Sequence, residues 1–176
     1  MLKPQDILVL LKLASRASKE WTFEGVADEL DSTASGVHRS LSRAEAAGLY
    51  DFRHREVNRV GLLEFLVHGA KYVFPPEREG EVRGMPTAWA APPLAGLLSA
   101  SDRNVPVWPY AMGGVRGIAL QPLHPIVPKA AERDPAFAEL LTLVDAIRIG
   151  GARERALAAE ELERRLLSGP DKMEGP

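Results

Sequence analysis

Prolines crowd the middle of this sequence and limit what it can fold into. Ten of the fourteen prolines lie between residues 75 and 128. Because proline lacks the backbone donor that a helix interior and a central strand both require, continuous helix and central sheet are excluded there. Large apolar side chains, among them Trp89, Trp108 and Tyr110, are too frequent for a disordered linker. We therefore predict an ordered middle rich in loops and short strands.

The segment before this middle has the pattern of two short helices joined by a tight turn. Thr22 is a candidate N-cap for a first helix over residues 23–30, because its hydroxyl can accept from an unpaired N–H of the first turn. A second helix is expected after Asp31-Ser32-Thr33, three residues that cap helices well. Gly48 is suited to end this helix in the left-handed conformation.

The two faces of the second helix differ in chemistry. Val37, Leu41 and Ala44 form one apolar stripe at helical spacing. Because Arg39 and Arg43 are four residues apart, they are expected on one face, where an arginine fork matches guanine or phosphate. The pattern predicts a helix-turn-helix whose second helix enters the DNA major groove. The predicted groove-facing side chains are Ser35, His38, Arg39, Ser42 and Arg43.

A solvated helical hairpin is the alternative for this segment. Residues 20–31 carry five acids and no base, and an acidic neighbour weakens long-range attraction to phosphate. Residues 35–43, in contrast, hold two arginines, one histidine and no acid. This segregation favours DNA binding over the solvated hairpin.

The same segment carries a family resemblance. The run VADELDSTASGVHRSLSRAEAAGL resembles the DNA-binding segment of bacterial winged helix-turn-helix transcription regulators, the MarR-like group especially. The matching features are the VADEL helix, the serine-rich turn, and the VHRSLSRAEAAGL helix with its closing Gly-Leu. The resemblance covers about residues 5–60. It implies a winged helix-turn-helix fold and a bacterial-type transcriptional regulator.

Two stretches compete for the wing of such a fold. Aromatic and charged residues alternate over residues 50–57, which predicts a short strand with Arg53 and Arg55 on one face, towards the DNA backbone. No returning strand is expected directly after it. The other candidate is a hairpin over residues 71–86, with strands at KYVFP and EVRGMP. The sequence leaves both candidates open.

Helices are predicted in four further places. Pro4 suits the first turn of a helix that runs to about Ser18. Asn58 is a candidate cap for a helix closed by Gly69, and Asp134-Pro135 starts a helix that ends at Gly150-Gly151. A last helix, over about residues 152–167, completes a C-terminal helix pair.

The proline-rich middle supports a further hypothesis. Short strands are predicted around VPVWP and RGIALQPL, joined by a turn at Gly113-Gly114. Trp89, Trp108 and Tyr110 are candidates for lining a small-molecule pocket. Buried tryptophans more often belong to the core. A ligand-sensing regulator is therefore the weaker interpretation of this region.

The distribution of charge bears on the partner. The net charge is −2, and residues 1–60 carry nine basic and nine acidic side chains. Residues 131–176 carry seven basic and ten acidic side chains. Any nucleic-acid contact must therefore come from a local patch, which favours a homodimer that binds two half-sites.

No pattern typical of catalysis or metal binding stands out. The absence of cysteine excludes disulfides and thiolate zinc sites and is typical of a reducing cytoplasm. The four histidines lack ligand spacing, and no nucleotide-binding motif is present. No apolar run approaches the length of a membrane span. We expect a cytoplasmic, non-enzymatic protein with no cofactor, metal or membrane contact.

Together the patterns predict a mainly α fold with short β-strands (α+β), in three parts. Residues 1–74 form the winged helix-turn-helix, residues 75–168 a Pro-rich and helical partner, effector or dimerisation region, and residues 169–176 a disordered tail. The predicted function is a sequence-specific transcriptional regulator that binds double-stranded DNA. The alternative is an antitoxin-like or other protein-interaction module in which residues 75–167 bind a partner protein.

Overall fold

Helices dominate the chain, and short strands interrupt them in two places. The computed structural model describes residues 1–98 and 104–168, so the predicted disordered tail lies outside the described residues. The predicted mainly α fold with short strands is confirmed. The helices are α1 (Pro4–Ala14), α2 (Phe23–Glu29), α3 (Ala34–Ala46), α4 (Arg59–His68), α5 (Ala70–Val73), α6 (Val127–Arg133), α7 (Pro135–Ile149) and α8 (Ala152–Leu167). The strands are β1 (Tyr50–Asp51), β2 (Glu56–Val57), β3 (Arg78–Pro86), β4 (Pro106–Pro109) and β5 (Val115–Leu120).

Side-chain caps fix where four of the helices begin. Thr22, Thr33, Asn58 and Asp134 each accept a hydrogen bond from the backbone N–H three residues later, at 3.0–3.2 Å. Each bond satisfies a donor that the first helical turn leaves free. After α3 the chain turns at Gly48, whose φ of +76° is left-handed. The predicted starts of α2, α3, α4 and α7 are confirmed.

Helix α1 is the centre of the front half of the molecule, which comprises the elements before α4 (residues 1–58). All its residues from Asp6 to Ala14 are buried, and α3 packs against it. Val37, Leu41 and Ala44 of α3 are each fully buried, which confirms the predicted apolar stripe. The predicted extension of α1 to Ser18 is wrong, because the helix ends at Ala14.

A short hairpin follows α3 directly. Strands β1 and β2 pair antiparallel, with Tyr50 opposite Val57 and Asp51 opposite Glu56. The predicted single strand over residues 50–57 is therefore wrong, because that range contains both strands of the hairpin. Two-residue strands are too short to show an alternating pattern of their own.

The predicted hairpin over residues 71–86 is also wrong. Its first half is helix α5, because Gly69 keeps a helical backbone (φ −114°, ψ −34°) and a second short helix begins directly after it. Ala70 and Phe74 are buried against the core, so tertiary packing overrides the strand preference of KYVFP. Its second half belongs to β3, whose partners are elsewhere.

Strands β3, β4 and β5 close into a small three-stranded barrel. β3 runs antiparallel to both neighbours, whereas β4 and β5 run parallel to each other. The predicted strands around VPVWP and RGIALQPL are confirmed, but the Gly113-Gly114 segment does not join them as a hairpin. At Gly84 a Cβ atom would lie 2.0 Å from the carbonyl oxygen of Trp108, so only glycine allows this close pairing.

A buried polar cluster joins the barrel to α7. The carboxylate of Asp145 accepts from Thr87 Oγ1 at 2.8 Å, from Trp108 Nε1 at 2.6 Å and from the Arg148 guanidinium at 2.8 Å. Arg148 Nε also donates to the carbonyl of Phe74 at 2.9 Å. Burial raises the pKa of the Asp145 carboxyl, and the Arg148 charge and the three donors oppose that rise. The cluster satisfies its buried polar groups internally, as a core requires.

Two further features complete the back half, which comprises the described residues from α4 onwards. Helix α6 begins inside the proline-rich middle, because Pro128 occupies its first turn, where a missing donor has no consequence. Helices α7 and α8 pack together and confirm the predicted C-terminal helix pair. In the described ranges, no helix combines the length and hydrophobicity needed to cross a membrane.

Candidate nucleic-acid interface

Ser35, His38, Arg39 and Ser42 lie on the outer face of α3 and are exposed, as are Glu45 and Ala46 in its last turn. Thr33 caps the helix at its start, so this face begins at a fixed point of the chain. Ser42 Oγ donates to the carbonyl oxygen of His38 at 3.0 Å. Arg39 makes no ion pair or hydrogen bond through its guanidinium with any described residue. The outer face therefore presents one free cation among small hydrogen-bonding side chains.

Arg43 has a different environment from Arg39. Its guanidinium donates two hydrogen bonds to the fully buried Asp6 of α1, from Nε at 2.9 Å and from an Nη at 2.6 Å. These hydrogen bonds raise the pKa of Arg43. Helical spacing predicts both arginines on one outward face, but the structure leaves only Arg39 there. Arg43 pins α3 to α1, and the position of its partner 37 residues earlier gives no local sequence signal.

The other two predicted arginines, Arg53 and Arg55, lie in the β1–β2 hairpin and have different environments. The Arg53 side chain is exposed and has no partner among the described residues. Arg55 instead stacks on Trp21, with its guanidinium carbon 4.3 Å from the ring centroid, and donates to the Trp21 carbonyl oxygen at 2.9 Å. The expectation that both arginines share one face fails here. Arg53 is free, whereas Arg55 anchors the hairpin to the segment before α2.

A row of five aromatic rings connects the hairpin to α3. The rings of Trp21, Phe23, His38, Phe52 and Tyr50 follow one another with centroid distances of 5.1, 5.6, 5.2 and 5.0 Å. These separations are those of attractive aromatic pairs. His38, from the outer face of α3, lies between one ring that precedes the helix and one from the hairpin. The row therefore fixes the hairpin relative to α3, a contact that sequence spacing did not reveal.

The tip of the hairpin carries a second histidine. His54 Nδ1 lies 2.7 Å from an Asp51 carboxylate oxygen. This hydrogen bond raises the pKa of His54 and lowers that of Asp51. The carboxylate of Asp51 therefore has a hydrogen-bond partner within the hairpin that also carries the exposed Arg53.

An open groove of about 430 Å³ runs along the start of α3, between Lys3, Thr33 and Arg39. Asp31 also lines it, and its carboxylate pairs with Lys129 of α6 at 2.6 Å. The hydrogen bond from Lys129 lowers the pKa of Asp31. The back half of the molecule thus supplies a cation that neutralises the acid nearest the start of α3.

The aromatic side chains of the middle do not share a pocket. Trp108 is buried and bonded to Asp145, and the Tyr110 hydroxyl donates to Glu132 at 2.7 Å on the surface. Trp89 lines a cavity of only about 90 Å³, whose lining includes neither Trp108 nor Tyr110. The hypothesis of a pocket formed by these three rings is therefore wrong. Within the described part of the chain, no group of three or more histidine or acidic side chains is placed to hold a metal ion.

Comparison of the chain with protein-family models, with curated proteins and with solved structures finds no match. The interpretation of the interface therefore depends on its geometry and chemistry.

Proposed function

We propose that this chain is a sequence-specific transcriptional regulator of bacterial type that binds double-stranded DNA. Its front half would form a winged helix-turn-helix, in which α2 and α3 are the two helices and the β1–β2 hairpin is the wing. The observation that carries the proposal is the free, exposed guanidinium of Arg39 on the outer face of α3.

The other arginines of the front half give this observation its weight. Five arginines precede α4. Arg16 pairs with Glu29, Arg43 pairs with Asp6, and Arg55 stacks on Trp21. Only Arg39 and Arg53 have side chains without a partner in this fully described half, and they lie on α3 and on the adjoining hairpin. An uncommitted arginine fork can bind guanine O6/N7 or a phosphate without first breaking an internal bond.

The neighbouring side chains support a division of roles. Ser35 and Ser42 offer hydroxyls on the same outer face as Arg39, which suits contacts with base edges or phosphates. Arg53, at the hairpin, suits a contact with the DNA backbone. Held between two rings, His38 is restricted to a small range of orientations. Arg43 and Arg55 would act on DNA binding indirectly, by holding α3 and the hairpin in place.

The electrostatics indicate a local, salt-sensitive contact. The chain as a whole has a net charge of −2, so it has no general affinity for polyanions. Near α3, however, Asp31 is neutralised by Lys129 and Asp51 is bonded to His54. A small basic patch of this kind is best used twice, by a homodimer on two half-sites.

Fluorescence anisotropy with a selected DNA duplex tests this proposal. Binding-site selection from a random library would first provide the duplex, and titrations at several salt concentrations would follow. Replacing Arg39 by Ala should weaken specific binding by about 1–3 kcal/mol if the fork reads a base. Arg153→Ala is the matched control, because Arg153 is an exposed arginine on α8 without a partner among the described residues. Equal loss in both variants, or no enrichment of any sequence, would refute the proposal.

A protein-interaction module, antitoxin-like or otherwise, remains the second candidate because of one specific feature. The segment between β4 and β5 exposes Met112 (77% exposed) and the adjoining strand begins with Val115 (36% exposed). Neighbouring exposed apolar side chains mark protein contacts more often than isolated ones do. Affinity purification of the tagged chain from native cells, with and without Met112→Asp, tests this candidate. A stoichiometric partner lost in the variant would support it.

A further inference from the structure

We infer that the groove at the start of α3 binds a phosphate group of the DNA backbone, held between Lys3 and Arg39. The phosphate groove is defined as the open groove of about 430 Å³ whose lining includes Lys3, Asp31, Ser32, Gly36, Arg39 and Arg43. The inference rests on the proposed function and deepens it, because it adds a contact from α1, outside the helix-turn-helix. Nothing in the sequence pattern assigns such a role to Lys3.

Two cations without an internal partner line the phosphate groove from different helices. Lys3 directly precedes the first turn of α1, its side chain is exposed, and its ammonium makes no ion pair or hydrogen bond with a described residue. Arg39 belongs to α3, and its guanidinium is free in the same sense. An anion in the groove would therefore gain the attraction of both charges without breaking an existing pair.

The other charges that line the phosphate groove are already balanced. Arg43 pairs with the buried Asp6, and the Asp31 carboxylate lies 2.6 Å from the ammonium of Lys129. The uncompensated charges of the groove are therefore those of Lys3 and Arg39, and both are positive. A local positive excess of this kind attracts an anion even though the chain as a whole has a net charge of −2.

The buried carboxylate of Asp6 sets the position of Lys3 relative to α3. Its Oδ2 accepts from the backbone N–H of Lys3 at 2.8 Å and from Arg43 Nε at 2.9 Å, and its Oδ1 accepts from an Nη of Arg43 at 2.6 Å. One carboxylate without exposed surface thus joins the start of α1 to α3. The backbone of Lys3 is anchored beside α3, while its side chain stays free for a ligand.

The neutral groups of the phosphate groove suit phosphate oxygens. Ser32 is partly exposed, and its hydroxyl has no hydrogen-bond partner among the described residues. Gly36 leaves space next to this hydroxyl, since a Cβ atom there would lie 2.9 Å from Ser32 Oγ. Arginine, lysine and serine side chains are among the usual donors to DNA phosphates. Because Arg39 lines the groove and also belongs to the outer face of α3, a DNA backbone beside that face is the favoured source of the phosphate.

NMR titration of the ¹⁵N-labelled full chain with sodium phosphate, at constant ionic strength, tests the phosphate groove without DNA. The amide signals of Ser32 and Gly36 should shift and saturate. Lys3→Ala and Arg39→Ala should each weaken phosphate binding by about two- to fivefold, the range expected for one exposed ion pair. Arg153→Ala removes the same charge from the exposed side of α8 and should leave phosphate binding unchanged.

The Lys3→Ala variant separates a binding effect from misfolding. It keeps the backbone N–H that donates to Asp6 and removes only an exposed side chain. We therefore expect circular dichroism melting to give the same Tm for this variant and the wild type. Loss of phosphate binding at an unchanged Tm would then report the lost ammonium alone.

Fluorescence anisotropy with the selected duplex and with a random duplex identifies the source of the phosphate. Lys3→Ala should weaken binding to both duplexes by the same factor, because a phosphate contact carries no sequence information. It should also reduce the slope of log affinity against log salt concentration by about one. Arg153→Ala should change neither quantity.

The two titrations distinguish failure of the inference from failure of the proposed function. Absence of saturable phosphate binding, or binding that Lys3→Ala leaves unchanged, would overturn the inference whatever the DNA result. DNA binding with the same salt slope in Lys3→Ala and wild type would also overturn it. Phosphate binding by a chain that selects no DNA sequence would contradict the proposed function and would make a free phosphate compound the ligand of the groove.

Discussion

Each half of the molecule contains an almost fully buried aspartate beside an arginine, and the two pairs are built differently. In the front half Asp6 is fully buried, but its partner Arg43 reaches it from the edge of α3 and keeps 27% of its side chain exposed. In the back half Asp145 and Arg148 are exposed by only 2% and 4%, and they lie three residues apart on α7. The front pair joins two helices, whereas the back pair belongs to a sealed cluster.

The difference shows two uses of the same chemistry. The sealed cluster of Asp145 fixes the barrel on α7 and faces nothing outside the protein. The Asp6–Arg43 pair fixes the proposed recognition helix from its own outer edge, one helical turn from the free Arg39. Helix α3 therefore has one arginine bound inside the fold and one whose guanidinium is free, a division that variants of both arginines can test.

The largest effect is expected when the sealed cluster loses its centre. Asp145→Ala would leave the Arg148 charge buried without its carboxylate, and Thr87 and Trp108 without an acceptor. We expect the free energy of unfolding to fall by about 3–5 kcal/mol, measured by urea denaturation. Asp28→Ala, at an exposed acid, is the control and should stay within about 0.5 kcal/mol of the wild type. A loss similar to that of the control would mean that the cluster does not hold the two layers together.

A smaller effect is expected at the front pair, where solvent reaches the arginine. Arg43→Ala would leave Asp6 buried without its cation, and we expect a loss of roughly 2–3 kcal/mol in the same experiment. Asp6→Ala should be less damaging, because Arg43 can turn its guanidinium to water. Equal losses of stability in Arg43→Ala and Asp6→Ala would contradict the unequal burial of the two front-pair side chains as the cause. Arg39→Ala should leave stability unchanged and affect only DNA binding.

The smallest effect concerns the hairpin, where both groups are exposed. Asp51 raises the pKa of His54 in the folded chain. The folded state therefore binds the proton more tightly than the unfolded state does. The resulting stabilisation is fully present below the unfolded pKa of about 6.5 and is lost as pH rises through the higher folded pKa. NMR titration should find the His54 pKa above the ordinary histidine value in the wild type and near it in Asp51→Asn. The same pKa in both proteins would remove Asp51 as the cause.

Local signals explain which parts of the fold were predictable. Thr22, Thr33, Asn58 and Asp134 cap helices through bonds that span only three residues, so the sequence pattern contains the cap and the donor together. Gly48 likewise meets a local need for a positive φ. The apolar stripe of α3 follows from helical periodicity alone. The outward position of Arg39 follows from the same periodicity, and the groove contact predicted for it remains a prediction.

The features that escaped prediction depend on distant partners. Arg43 donates hydrogen bonds to Asp6, 37 residues earlier, and Arg55 donates to the carbonyl oxygen of Trp21, 34 residues earlier. From the sequence, Asp145 is a charged residue of an amphipathic helix and is expected at the surface. In the structure it is buried, because Thr87 and Trp108 donate hydrogen bonds to it. The parallel pairing of β4 and β5 was missed because two strands joined by a short glycine segment usually form an antiparallel hairpin.

The placement of the three tryptophans gives the molecule built-in optical reporters. Trp21 belongs to the ring row and lies beside the charge of Arg55, whereas Trp108 is sealed in the cluster of Asp145. Trp89 lies next to the barrel, beside its small cavity. The emission of an unlabelled sample therefore contains a contribution from the hairpin and a bluer contribution from the barrel. A change confined to either half of the chain should appear as a shift in colour as well as a change in intensity.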